Sequence, residues 1–506
     1  MKRPFSARDH LPRRIDSVEG VRELDRLIID RMGDDGTELM SHAGDAAFAL
    51  LLSRWPDVGH IALVAGAGNN GGDAWVVASL AKLHGVDVTF YTLGDLSRQS
   101  TAAANARKAA EDAGVTAVPF AGEITRDAEL ILDGLLGTGL NALVQGDYAA
   151  AITAMNEHPA EVLALDIPSG LNATTGQPMG MAVQAAATVT FIGMKPGLLT
   201  CDGPDHCGDL SLATLDLSAA EKARVAPVAE RVSWHQLEQD NERLPERRGN
   251  SNKGQYGHAL LVGGELGFGG AMRMAAEACS RTGAGLTSVA TRPEHMPVIL
   301  GARPECMVSG VTSGLELQPL LERATVVGCG PGLGRSSWSE LLLQQVLLSD
   351  LPLVLDADAL NIIASPGWQT TFPERDVVLT PHPGEAARLL DCTVADVQAD
   401  RTGSAQALAK RYDAVVLLKG QGTVIADARG RLAICTDGNP GMASGGMGDV
   451  LTGVITALLA QGQSPWQAAV YGCCVHSAAA DLAVAENGVR GLLASDLMDY
   501  LRWLVN

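Results

Sequence analysis

Residues 61–93 read IALVAGAGNNGGDAWVVASLAKLHGVDVTFYTL, and this stretch decides the fold class. An unbroken apolar run leads into a glycine-rich loop, then a segment with apolar residues at helical spacing, then a second apolar run. Strand, loop, helix, strand is a βαβ unit, and a strand apolar along its whole length belongs in a parallel sheet covered on both faces. Further strands follow in ELILDGLLG, EVLALDIPSG and AATVTFIG. A second series starts near residue 254, where HALLVGG leads to a glycine loop, an Ala-rich helix to Thr282, and the strands LTSVAT, TVVGCGPG, LPLVLDAD, DVVLTPHPG and AVVLLKGQG.

At 506 residues the chain exceeds what one hydrophobic core serves, so two α/β domains are expected. Residues 217–253 are rich in charge and poor in sustained apolar pattern, which reads as a linker with some local structure. A boundary near residue 230 divides the chain into domains 1–230 and 231–506. The net charge of −20 repels a phosphate backbone and excludes a non-specific nucleic-acid binder, leaving small anionic ligands held by local groups.

The basic start, MKRPFSARDHLPRR, is followed by no signal-type apolar segment, and no run reads as long enough to span a bilayer. A soluble, cytoplasmic protein with no membrane partner is expected. Nine cysteines without a CxxC pair fit reduced thiols. Cys201, His206 and Cys207 read as an ordinary loop before they read as a zinc site.

Gly66, Gly68 and Gly71 satisfy GxGxxG after a strand, the dinucleotide fingerprint. The end of the next strand, FYTLG, however, offers no acid before Asp95, and the loop carries Asn69, Asn70 and Asp73, which can orient a ligand or simply cap a β–α turn. Two later strand ends, LDGLLGTGLNA and LDIPSGLNA, place Asp133, residues 137–142, Asp166 and Ser169 along the same carboxyl edge, where open α/β sheets bind ligands.

NNGGD, DGLLGTGL and DIPSG together resemble the NAD(P)HX epimerase family over about residues 15–215. The resemblance implies an N-terminal Rossmann-like α/β/α sandwich that interconverts the two epimers of hydrated NADH and NADPH. It implies a substrate loop of Asn69, Asn70, Gly71, Gly72 and Asp73. Gly137, Thr138, Gly139, Leu140, Asn141, Ala142 and Leu143 would hold the substrate phosphates through backbone N–H groups, with Tyr148 nearby. Asp166 would be the acid/base at the reacting ring, and Asn70, Asp133 and Ser169 would share a potassium ion, for which hard oxygen donors are the suitable set. An isolated strand-end Asp is otherwise a cap or turn residue.

The second half holds glycine- or polar-rich strand ends in GGELGFGGA, GPGLG, HPGE and KGQGT, followed by NPGMASGGMGDVLTGVITALLAQG. In the last, Gly445, Gly446 and Gly448 introduce an apolar helix that Gly462 can close, so backbone N–H groups and a positive helix end converge as an anion hole. Asp449 stands at that helix start. The helix end is expected to lower its pKa, and the residue serves either as a base or only as a helix-end acid. No GxxxxGK[ST] is present, so phosphate is not handled by a Walker loop.

GGMGDVLTG resembles the ribokinase-like superfamily; joined to HPGE, GPGLG and KGQYGH it is similar to the ADP/ATP-dependent NAD(P)HX dehydratases over about residues 231–500. The resemblance implies a C-terminal ribokinase-like α/β domain in which Ala271, Gly332, His382 and Asp449 touch the hydrated cofactor. Lys419, Gly420, Gln421, Gly422, Thr423 and Gly448 would bind the nucleotide, with ADP the expected co-substrate, ATP the alternative, and magnesium accompanying it. His382 also reads as a plain helix-capping residue. The whole implies a bifunctional repair enzyme, isomerase and lyase, and a homo-oligomer is expected. The competing readings are a small-molecule kinase with a regulatory front domain and a nucleotide-sensing module.

Overall fold

The computed structural model describes residues 8–368 and 370–506; part of the basic start lies outside them. The chain divides into two compact units, His10–Glu230 and Arg231–Asn506, with Arg8 and Asp9 grouped with the second.

In the first unit seven strands form a wholly parallel sheet: β1 (His60–Ala65), β2 (Asp87–Thr92), β3 (Ala117–Pro119), β4 (Leu130–Gly134), β5 (Glu161–Leu165), β6 (Ala187–Phe191) and β7 (Asp209–Ala213). Their spatial order, β3-β2-β1-β4-β5-β6-β7, reverses direction between β1 and β4. Alternation along β1 explains the unbroken apolar run. Ile61, Leu63 and Ala65 enter one buried cluster with Trp75 and Phe90, whereas Ala62 and Val64 enter another with Ile131 and Ile152. Two helices, α1 (Val18–Met32) and α2 (Thr37–Arg54), precede the sheet, and α3 (Asn69–Leu83) follows β1. Trp75 of α3 stacks on Phe90 with ring centroids 3.7 Å apart.

The second unit carries β8 (His258–Val262), β9 (Leu286–Thr291), β10 (Met307–Gly310), β11 (Val326–Cys329), β12 (Leu353–Leu355), β13 (Val377–Leu379), β14 (Val415–Leu418), β15 (Thr423–Ala426) and β16 (Leu432–Cys435). They lie in the order β16-β15-β14-β13-β12-β11-β8-β9-β10, parallel from β14 to β10 and antiparallel through β14, β15 and β16. Three of its helices are α4 (Gly269–Thr282), α5 (Pro383–Leu390) and α6 (Met447–Ala460). α4 and α6 pack closely because Gly453 has no side chain: a Cβ there would stand 2.2 Å from the Ala275 carbonyl oxygen.

The charged stretch 217–253 carries local structure: Ala229–Val232 forms a strand and Trp234–Gln239 a helix whose Trp234 and Leu237 join the second unit's core. One expectation needs correction, that no run is long enough to span a bilayer. The helix α7 (Pro465–Asn487), 23 residues, is long and apolar enough by length and composition to cross a membrane. Its window is 83% buried, the condition of a core helix. The nine cysteines are all free thiols, and His206 spends its Nδ1 on the Val183 carbonyl at 2.8 Å.

Candidate active sites

The first site opens at the β1/β4 switch point, a cleft of about 700 Å³ at the carboxyl edge. Glycine is required in its first loop. A Cβ at Gly66 would lie 2.1 Å from the Leu135 carbonyl oxygen, and one at Gly71 1.9 Å from that of Gly66. The residues read as a substrate loop, Asn69 to Asp73, are instead the first turn of α3, which begins at Asn69. The correction suits the chemistry, because unpaired N–H groups of a helix start face anionic ligands.

Asn69, Asn70, Asp73, Gly137, Thr138, Gly139, Leu140, Asn141, Tyr148 and Asp166 all line this cleft. Gly71, Gly72, Ala142 and Leu143 do not. Gly71 is pressed against Gly66, Gly72 faces Met40, and the Leu143 side chain is largely exposed.

Behind the cleft wall, Asp133 and Ser169 are wholly buried. Ser169 donates to Asp133 through Oγ at 2.5 Å and through its backbone N–H at 2.7 Å, and Leu135 N–H donates to the same carboxylate at 3.2 Å. Ser169 Oγ also accepts from Leu136 N–H at 2.7 Å. Burial pushes the Asp133 carboxyl up to about 6 against these hydrogen bonds. Asn70 donates to the Leu136 carbonyl at 3.0 Å, yet its Oδ1 is buried without a partner. An orphaned carbonyl oxygen near a buried carboxylate and a serine hydroxyl is the donor set a monovalent hard cation takes.

Asp166 follows β5 in the left-handed region, φ 60°. Its Oδ1 accepts from Lys195 Nζ at 2.5 Å, and from Thr190 Oγ1 and Phe191 N–H at 3.3 Å each. Three further acids, Asp25, Asp35 and Asp73, share the cleft. Burial pushes Asp25, on α1, up to about 7, with Lys195 opposing; burial and the charges of Asp166 and Asp25 push Asp73 well up.

The second site lies at the carboxyl edge where β8 and β11 adjoin. Their loops are tied together, Gly264 N–H donating to Pro331 O at 3.1 Å and Glu265 N–H to Gly332 O at 2.7 Å. A Cβ on Gly332 would stand 3.1 Å from that of Ala271, so these two expected substrate residues are neighbours. Gly446, φ 93°, caps α6, and Gly448 and Asp449 lie in its first turn. Lys419 and Asp356 meet beside Gly448, whose Cβ would lie 3.3 Å from Lys419 Nζ and 3.4 Å from Asp356 Oδ2. Asp356 is buried, accepting from Lys419 Nζ at 2.7 Å and from Thr452 Oγ1 at 2.9 Å.

The expected lowering of the Asp449 pKa is overturned. Burial first, then the negative charges of Asp356 and Asp358, push its carboxyl up to about 7, with Lys419 opposing. Loss of hydration outweighs the helix end. Of the two roles considered for His382, the structure shows the helix cap. His382 caps α5, Nδ1 accepting from Gly384 N–H at 2.9 Å, and leaves Nε2 3.4 Å from Glu385 Oε1. Glu385 is buried and pushed up to about 6 chiefly by that burial.

A family model described as NAD(P)H-hydrate dehydratase matches residues 259–502, and one described as YjeF-related protein N-terminus matches residues 36–197. The bifunctional NAD(P)H-hydrate repair enzyme of Coxiella burnetii is 47% identical over 96% of this chain and 98% of its own. This chain belongs to the bifunctional NAD(P)H-hydrate repair enzymes. The repair enzyme of Escherichia coli K12 is 43% identical over 98% of this chain and 95% of its own. Among solved structures, the ADP/ATP-dependent NAD(P)H-hydrate dehydratase of Bacillus subtilis, co-crystallised with ATP and Mg2+, is similar at a TM-score of 0.48 and 32% identity, covering 53% of this chain and 95% of that one. As a repair enzyme the chain has an epimerase domain followed by a dehydratase domain. Four side chains of these sites, Asp25, Lys195, Asp356 and Glu385, were not singled out from sequence; HPGE contains the last of them, and LDAD the third.

Proposed function

We propose that the epimerase site uses Asp166 as its acid/base and the dehydratase site uses Asp449 as the base for an ADP-dependent elimination. Hydrated NAD(P)H carries a hydroxyl on the sp³ carbon beside the ring nitrogen. When that hydroxyl takes a proton and leaves as water, the nitrogen lone pair closes a planar iminium. Water then adds to either face and returns a proton to the carboxylate. Asp166 opens into the same cleft as the α3 first turn and the 137–141 loop, which is the observation that carries the first half.

In the second half, hydroxide is a poor leaving group. Asp449 accepts the hydroxyl proton, the oxygen takes the terminal phosphoryl of ADP to give AMP, and loss of phosphate from that carbon together with a proton from the adjacent sp³ ring carbon, released to water, restores the dihydropyridine. The raised Asp449 carboxyl, beside Gly448 and Lys419, is the observation that carries this half. Lys419 to Thr423 and Gly448 hold the nucleotide, while Ala271, Gly332 and His382 hold the substrate ring. Magnesium would accompany the nucleotide and neutralise phosphate charge there; Asp356 and Glu385 are oxygen donors of the kind it takes.

Potassium at Asn70, Asp133 and Ser169 is part of the same proposal, supported by the orphaned Asn70 oxygen. A homo-oligomeric, cytoplasmic repair enzyme completes it. Following AMP, inorganic phosphate and dihydropyridine absorbance together tests the dehydration step. Equal amounts of all three are expected; a stable phosphorylated product would make the second domain a kinase instead.

A further inference from the structure

Lys195 is wholly buried, and an ammonium out of water must be met on all three of its N–H bonds. It is: Nζ donates to Asp166 Oδ1 at 2.5 Å, to Thr190 Oγ1 at 2.8 Å and to the Phe191 carbonyl at 3.0 Å. A buried ion pair contributes little to stability compared with apolar packing, so stability does not account for a lysine here.

The bonds to Asp166 are one-sided. Lys195, Thr190 and Phe191 N–H all grip Oδ1, and among the described residues no donor reaches Oδ2. Thr190 accepts from the lysine and donates to the carboxylate, so the three groups form a closed set. The backbone is held as well, Asp166 N–H donating to Val189 O at 2.7 Å in a conformation that side chains rarely adopt. The other charged groups lining the cleft are Asp73 on α3, Asp25 and Arg22 on α1, and Asp35 just before α2, and Arg22 and Asp35 are exposed. Lys195 is therefore the buried cation that balances these acids.

We infer that Lys195 is a positioning residue for epimerisation, clamping Oδ1 of Asp166 so that Oδ2 alone donates a proton to the departing hydroxyl and takes one from the incoming water. The inference rests on the reading of Asp166 as the acid/base. Without the clamp the carboxylate can rotate about its Cβ–Cγ bond, and its reacting oxygen is no longer fixed. Proton transfer depends on that placement, whereas the phosphate contacts of the substrate, from the 137–141 loop, do not.

Lys195→Met keeps the length and volume of the side chain and removes the ammonium. Epimerisation kcat is expected to fall about 10²-fold, with KM changed less than about threefold. Thr190→Val removes one anchor of the ammonium and should give a smaller loss in the same direction, which serves if Lys195→Met does not fold. Near-ultraviolet circular dichroism and melting curves on each sample report native packing. If both folded variants keep wild-type kcat, even with lowered melting temperatures, Lys195 is structural and the inference is overturned. Asp166→Asn separates the two claims: an inactive Asp166→Asn beside an active Lys195→Met rejects Lys195 alone, whereas an active Asp166→Asn rejects the reading of Asp166.

Discussion

Lys419 Nζ donates to Asp356 Oδ1 at 2.7 Å and stands 3.8 Å from Glu385 Oε2, so one ammonium faces two buried carboxylates from different strand ends. Asp449 lies close enough to this cluster to be raised by Asp356 and lowered by Lys419. The second site thus gathers one ammonium and three carboxylates, and in the proposed reaction the nucleotide phosphates would lie beside them.

Removing Lys419 leaves Asp356 buried with only Thr452 as a side-chain donor. Lys419→Met should lower stability by about 3 kcal/mol, the lower end for a broken buried pair, because the lysine side chain is 21% exposed. ADP affinity should fall with it. Calorimetric titration with ADP and urea unfolding on the same variant check both; unchanged affinity would remove Lys419 from the nucleotide site.

Asp449→Asn should reduce dehydration kcat by about 10² to 10⁴ and leave ADP affinity nearly unchanged, since the N–H groups of Gly446 and Gly448 need no carboxylate. With its carboxyl raised from 3.8 to about 7, the folded state holds this proton more tightly than the unfolded state. The group therefore costs stability increasingly as pH rises from about 4 to 7. Asp449→Asn should accordingly melt no lower than wild type at pH 8. Wild-type kcat should rise with pH through about 7, where the base loses its proton. A variant that melts lower and still dehydrates at the wild-type rate would make Asp449 a helix-end acid.

Potassium should raise the melting temperature of the first domain in a concentration-dependent way, because a ligand held only by the folded state stabilises it. Asp133→Ala and Asn70→Ala should lose this response and slow epimerisation while sparing dehydration. An equal response in wild type and both variants would remove these residues from the cation site.

Fragments 1–230 and 231–506 should each fold and keep one activity, as two compact units imply. Separate purification and assay of each half checks this; activity recovered only on mixing would refute independence.

Much of this was legible because the glycine loops that shape each site are local in sequence. Gly66 to Asp73 adjoin one strand, and Gly445 to Asp449 open one helix, so backbone geometry and chemistry are written within a few residues. What was not legible depends on distance in the chain. The Asp449 carboxyl is raised partly by Asp356, some ninety positions away, so the helix-end argument gave the wrong direction. Lys195 reads as an ordinary loop residue until β5 and β6 pair and bring it onto Asp166. Asp25 sits in an amphipathic helix among exposed acids, and only packing turns it towards the cleft. The helical start at Asn69 was hidden by two glycines, which disfavour helix unless close packing requires them.

The most direct measurement gives the intact protein each hydrate epimer separately, with and without ADP, and follows dihydropyridine absorbance alongside the epimer ratio. Without ADP, each epimer should relax to the same mixture and no dihydropyridine should form. With ADP, both epimers should be converted completely, and Asp166→Asn should leave one of them largely unrepaired while the other is still consumed. Complete conversion of both epimers by Asp166→Asn at the wild-type rate, or none of either by the wild type with ADP, would contradict the account.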